Sequence, residues 1–217
     1  MKNSLRSILL TVFIISCTAY GQNIKYGFSF GLTYIAAPGY YTDDIDTTGK
    51  AFGLKSNYHF GGKIKIGLQQ LPLRLTGSML YTSFNGSKNN VVINPTTAID
   101  IETSSNLFTL GFGVEYLFNP EPVSPYATLE LQFNAQGNTK LTENFPNSTK
   151  EISIEGNSRW GLGLGLGIDL GIISQVDLDA GIKYNLVNIF GKRNNEDTFS
   201  TFTFTLSVLY NPGSAKK

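Results

Sequence analysis

Residues 159–173 read RWGLGLGLGIDLGII. Seven apolar residues, Trp160, Leu162, Leu164, Leu166, Ile168, Leu170 and Ile172, recur at every second position, with glycines in most of the gaps. A dinucleotide-binding loop needs a third glycine three places after the second. Counting from Gly161, Gly163 or Gly165, that place holds Leu166, Ile168 or Leu170, and no GxxxxGK phosphate loop occurs in the chain. A period of two is the side-chain period of a β-strand. The seven apolar side chains therefore share one face; Arg159, five glycines and Asp169 share the other.

The same alternation recurs along the 217 residues. Apolar Ile24–Tyr34 alternates with Lys25, Gly27, Ser29, Gly31 and Thr33, and Tyr58–Leu68 with His59, Gly61, Lys63, Lys65 and Gly67. Leu73–Tyr81 alternates with Arg74, Thr76 and Ser78. Phe108–Phe118 alternates with Thr109, Gly111, Gly113 and Glu115, and Leu129–Phe133 with Thr128, Glu130, Gln132 and Asn134. Val176–Leu186 alternates with Asp177, Asp179, Gly181, Lys183 and Asn185, and Phe202–Tyr210 with Thr201, Thr203, Thr205 and Ser207. With the opening stretch this predicts eight strands, most of a length that crosses a bilayer at a tilt. No segment after the first 22 residues has helical periodicity.

The connections alternate in length. Those at 35–56, 85–106, 136–151 and 188–198 are the longer set, and those at 69–72, 119–125 and 174–175 are short. An up-and-down meander with its long loops at one end predicts this, and transmembrane barrels have short periplasmic turns and long extracellular loops.

The chain opens MKNSLRSILLTVFIISCTAYGQ. Lys2 and Arg6 precede an apolar run from Ile8 to Ile15, and Ala19 and Gly21 occupy the −3 and −1 positions of a small-residue cleavage site. We expect residues 1–21 to be a secretory signal and 22–217 a single barrel domain. Ile14-Ile15-Ser16-Cys17 also resembles a lipobox, the competing expectation. Cys17 is the sole cysteine, so a mature chain beginning at Gln22 has no thiol for disulfides or metal. Losing Lys2 and Arg6 leaves 15 Lys and Arg against 16 Asp and Glu, with no basic bias toward nucleic acid.

Alternation alone does not say which face is wet. A soluble secreted lipocalin-like barrel points its apolar face inward; a membrane barrel points it at lipid. Twelve of the 23 glycines lie on the polar face. They weaken a solvated strand without benefit but make room inside a narrow eight-stranded barrel. The charges on that face gather toward the short turns. Cations Lys25, Lys63, Lys65, Arg74 and Lys183 concentrate on the second and third predicted strands and anions Asp169, Asp177 and Asp179 on the sixth and seventh, with Glu115, Glu130 and Arg159 completing the lumen set. A narrow lumen would bring them together as a structural network. On the apolar face, Tyr34, Tyr58, Tyr81, Phe108, Phe133, Trp160 and Phe202 lie toward the long loops, and Tyr116, Phe118 and Tyr210 toward the short turns, as two interfacial girdles would. The fold expected is an all-β, eight-stranded antiparallel up-and-down transmembrane barrel with a side-chain-filled lumen.

With its leader, eight such strands and a last strand ending Phe204-Leu206-Val208-Tyr210, the chain resembles the small bacterial outer-membrane β-barrel family, of OmpA-barrel or OmpX type, over residues 23–210. The resemblance implies a Gram-negative outer membrane, contact with its lipids and insertion by the barrel-assembly machinery. Tyr210 would be the terminal aromatic that the machinery reads, although Asn211–Lys217 follow it. The role expected is structural or a surface interaction, with an unknown extracellular ligand or protein meeting the long loops. Alternatives are a porin-like OmpW-type conduit for apolar ligands, its upper lumen lined by Gly111, Gly161, Gly163, Ser29 and Thr33, and an accessory role in envelope assembly or secretion.

No catalytic, cofactor or metal site is expected. His59 is the only histidine. Some small barrels modify lipid A with a histidine, but only Ser56 and Ser78 are candidate neighbours here, and a nucleophilic site needs nucleophile, base and orienter within reach. Asp44-Ile-Asp46-Thr-Thr48-Gly49 faintly resembles a calcium loop, but its twelfth position is Lys55 rather than Glu.

Overall fold

The computed structural model describes residues 24–36, 53–55, 57–68, 71–94, 97–119, 123–192 and 198–212. The leader, the Asp44–Gly49 turn, Tyr40, Tyr41 and Ser56 lie outside them. Ten strands follow in order: β1 (Ile24–Ile35), β2 (Asn57–Gly67), β3 (Leu73–Asn94), β4 (Thr97–Leu117), β5 (Val123–Gln136), β6 (Thr139–Phe145), β7 (Ser148–Ile154), β8 (Ser158–Ile173), β9 (Val176–Phe190) and β10 (Ser200–Tyr210). Eight of them, β1-β2-β3-β4-β5-β8-β9-β10, form antiparallel neighbours. The ring closes where Tyr26 pairs with Tyr210 and Ile35 with Thr201. Closure leaves no barrel edge, so every wall strand has a partner on both sides.

The two faces have opposite chemistry, and they are inverted relative to a water-soluble protein. Phe28, Phe112 and Leu166 are 81%, 62% and 59% exposed, whereas Lys65 and Glu115 are fully buried. Along β10, Phe202, Phe204, Leu206, Val208 and Tyr210 point out while Thr201, Thr203, Ser207 and Leu209 point in. A continuous apolar belt of this size has no stable contact with water. Aromatic side chains line both ends of it: Phe133 meets Trp160 at 5.4 Å, Phe60 meets Tyr81 at 5.4 Å and Tyr184 meets Phe202 at 4.9 Å. At the short-turn end, Tyr26 stands edge-on to Tyr210 at 5.8 Å and Tyr116 to Phe118 at 5.4 Å. From Tyr116 up to Phe108, strand rise and tilt give a belt about 20 Å tall, close to the usual lipid-facing band.

The strands do not stop where the sequence pattern weakens. The connection at 85–106, expected as a loop, is the upper part of a long β3–β4 hairpin whose pairing runs from Leu73↔Tyr116 to Asn94↔Thr97. The connection at 136–151 contains β6 and most of β7. Above Asn106, β4 changes partner: below, Leu107 pairs with Gln136 of β5; above, Ser104 pairs with Lys140 of β6. Gly137 and Gly156 sit at this branch. A Cβ on Gly156 would lie 1.9 Å from the Gln136 carbonyl, so glycine there lets the backbones cross, and one on Gly137 would lie 2.1 Å from the Asn106 side-chain Oδ1. The result is a four-stranded sheet, β3-β4-β6-β7, standing on the long-loop rim. Its inner side buries Val91, Ile99, Ile101 and Leu141, with Phe145 packed against them. That sparse apolar row explains why the segment folds as sheet.

Candidate functional site

The barrel interior holds three layers. The lowest, nearest the short turns, carries four cations (Lys25, Lys63, Lys65, Arg74) and four anions (Glu115, Asp169, Asp177, Asp179). Strand register first creates a problem, because Lys25 sits directly opposite Lys65 and Asp169 directly opposite Asp179. Like charges facing across a ladder repel. The narrow lumen resolves this by placing the cationic wall against the anionic one. Lys25 reaches Asp177 at 2.7 Å and Asp169 at 3.2 Å, across 144 residues of sequence for the latter. Lys63, Lys65 and Arg74 each lie 3.1 Å from a Glu115 oxygen. Lys65 also pairs with Asp179, and Arg74 Nη1 donates to Asp169. Both Glu115 oxygens lack a well-aligned hydrogen bond, so this carboxylate is held mainly by charge.

Tyr126 is the centre of this layer, and the alternation read from Leu129 onward missed it. It is 2% exposed and donates its hydroxyl to Asp179 Oδ1 at 3.0 Å. Lys65 Nζ stands 4.3 Å above its ring, Lys63 Nζ 5.3 Å and the Arg74 guanidinium 5.7 Å. A ring face thus shares the cations with the carboxylates. Extending the polar face of β5 two residues back from Thr128 would have found it; Pro125 and the short turn hide the strand start. Gly167 and Gly181 make the room. A Cβ at Gly167 would lie 2.3 Å from the Tyr126 hydroxyl, and one at Gly181 3.0 Å.

The middle layer is polar. Lys183 Nζ donates to Glu130 Oε2 at 2.5 Å, and Gln132 Nε2 donates to Asn185 Oδ1 at 2.8 Å. Asn134 Nδ2 donates to the Val187 carbonyl at 2.8 Å. Ser29 and Ser207 hydroxyls meet at 2.8 Å. His59 lies between two threonine hydroxyls, Thr33 at 2.9 Å from Nδ1 and Thr205 at 3.0 Å from Nε2. Ser78 turns instead to Glu130, at 3.5 Å. Among the described residues neither ring nitrogen of His59 contacts a carboxylate or a serine; both meet threonine hydroxyls. Nor do the described residues hold a cluster of three or more His, Cys, Asp or Glu suited to a metal.

The upper layer is apolar and was not anticipated. Leu54, Phe84, Leu107, Val187 and Phe199 form a buried cluster with Ile35 against it. Phe84 and Phe199 meet edge-on at 6.0 Å. Arg159, placed on the lumen face by the alternation, opens β8 beside Asn134 at the upper rim, and its guanidinium Nη1 donates to the neighbouring Ser158 carbonyl. It stands well above the lower charge layer. The cavity between the lower and middle layers, lined by Lys63, Tyr126, Asp179, Ser29 and Lys183, measures about 30 Å³. That is room for about one or two waters.

Among solved structures, neisserial surface protein A is 19% identical over 88% of this chain and 97% of its own, with a TM-score of 0.41. Ail of Yersinia pestis, in complex with the heparin analogue sucrose octasulfate, is 16% identical over 87% and 96%, at 0.45. A major outer membrane protein from Thermus thermophilus is 13% identical over 86% and 98%, at 0.50. No curated protein matches the chain. The family described as outer membrane protein beta-barrel domain matches residues 7–211. A closed eight-stranded wall with its apolar side outward and its charges inside is what such a family requires, and the chain belongs to it.

Proposed function

We propose that this outer-membrane barrel is non-conducting and acts at the cell surface through the sheet that rises from its long-loop rim. The observation carrying the reading is the filling of the lumen: an ion-pair layer, a polar layer and an apolar plug leave a cavity of only about 30 Å³ between the first two. A conduit for apolar ligands needs a continuous path, and the positions expected to line one are closed in. Ser29 and Thr33 are buried and hydrogen-bonded, and a Cβ on Gly163 would meet Gln132 and Lys183 side chains. In this reading the charge network and Tyr126 hold the wall rigid, and the β3-β4-β6-β7 sheet presents the interaction surface, since a rigid scaffold carrying exposed elements is where binding resides. Export by residues 1–21, and recognition of Tyr210 by the barrel-assembly machinery, belong to the same proposal.

The test is electrical. The mature chain refolded into planar phosphatidylcholine bilayers is expected to give no stable current steps above baseline over a range of voltages. Reproducible single-channel openings of uniform size would overturn the non-conducting reading.

A further inference from the structure

We infer that the outward face of the β3-β4-β6 sheet carries a saccharide-binding cleft just above the membrane. This deepens the proposed surface role and rests on it only for its biological sense, because the cleft is present whether or not the lumen conducts. The cleft measures about 480 Å³, within the range of small-ligand sites. Register builds it in two rows. Lys55 bridges Asn85, which pairs with Ser104. One step higher, Ser87 pairs with Glu102, which pairs with Thr142. Directly paired residues share a face, so these six side chains form a polar lattice on one side; Asn57, Gly86 and Thr103 complete the lining. None of the six is engaged in a side-chain hydrogen bond or ion pair among the described residues.

Three features choose the ligand class. Amides and hydroxyls both donate and accept, as a sugar's vicinal hydroxyls do, and Lys55 and Glu102 add one dedicated donor and one dedicated acceptor. The two opposite charges cancel, which disfavours a multiply anionic ligand. Among the described residues the lining holds no aromatic or aliphatic side chain, which disfavours an acyl chain. Height adds a fourth. The outward face of β3 and β4 turns from apolar to polar directly above Tyr81 and Phe108. Asn85 is four residues beyond Tyr81, so the cleft floor lies about 10 Å above the girdle after correction for tilt, at the level where glycolipid sugars or a free glycan are met.

The experiment uses the full mature chain in phosphatidylcholine nanodiscs and has two arms. In one, methyl glucoside, methyl galactoside and methyl mannoside are titrated and followed by saturation-transfer NMR. In the other, nanodiscs are prepared with and without lipopolysaccharide, and retention of the glycolipid on purification is measured. Asn85→Leu/Ser104→Leu closes the cleft at exposed positions, Lys150→Ala on β7, which pairs with Glu143 rather than with a cleft residue, serves as a control on the same sheet, and the heat-dependent gel shift reports folding. Binding in either arm that falls at least tenfold in the double variant and is unchanged in Lys150→Ala is the expected result. Signal from soluble glycosides would assign a free glycan; signal only from lipopolysaccharide would assign a headgroup. Failure of the folded wild type to bind in both arms, or binding that survives Asn85→Leu/Ser104→Leu, would overturn the inference.

Discussion

Replacing Glu115 by glutamine is the sharpest perturbation of the lower lumen layer. The change keeps the shape and removes one charge from a fully buried site that faces Lys63, Lys65 and Arg74, each at 3.1 Å. The layer then holds four cations against three anions. Removing one partner of a buried ion pair costs about 3–5 kcal/mol, because a charge is left uncompensated. Here each cation keeps a second anion, Lys63 and Lys65 through Asp179 and Arg74 through Asp169. The loss should therefore fall near the lower limit, about 3 kcal/mol. Adding Lys63→Met restores balance at three against three, and the double variant should lose less than the sum of the single losses by about 1–3 kcal/mol. Lys140→Ala breaks the Lys140–Glu151 pair at 2.9 Å, whose two side chains are more than half exposed, and should cost under about 1 kcal/mol. Reversible urea unfolding in phosphatidylcholine vesicles, followed by Trp160 fluorescence, measures the wild type and the four variants, Lys63→Met alone included. A Glu115→Gln protein as stable as wild type, or strict additivity with Lys63→Met, would refute the coupled-network account.

Two further substitutions test the other layers. Phe84→Ala removes the ring that packs on Phe199 in the upper plug and should cost about 3–5 kcal/mol in the same assay, without opening a current, since the charged layer beneath still fills the lumen. Gly167→Val drives a side chain into the Tyr126 hydroxyl and should abolish the heat-dependent gel shift of the folded barrel; Gly171→Ala, whose Cβ would meet Asp177 Oδ1 at an ordinary 3.4 Å, should retain it.

The wall of the barrel was legible because one physical constraint, a period of two with lipid on one side, governs every residue from Ile24 to Tyr210 on the eight wall strands. The ion pairs were legible as two groups of opposite charge, though not as contacts, since register and curvature decide which carboxylate each lysine reaches. What escaped was local. Tyr126 lies between the turn read at 119–125 and the alternation read from Thr128, so neither pattern covered it. Leu54, Leu107, Val187 and Phe199 lie at or beyond the upper ends of the polar runs, and they look like lipid-facing residues until parity is followed up each strand. The β3–β4 extension and the β6–β7 hairpin carry only a few apolar residues (Val91, Ile99, Ile101 and Leu141) on one side, too few to distinguish a wetted sheet from a polar loop. Arg159 shares the lumen face by parity but stands above the charge layer, a matter of height that alternation does not encode.

The inverted faces define this molecule, and Trp160 reports on them directly. It is the sole tryptophan, it packs edge-on against Phe133, and it is 44% exposed on the apolar side near the long-loop rim. In vesicles of brominated phosphatidylcholine its fluorescence should be strongly quenched, more by bromine near the headgroup than by bromine at the chain end, and little by aqueous acrylamide. A chain that folds without lipid and whose Trp160 resists both quenchers would have its apolar face inside, contradicting the membrane-facing wall.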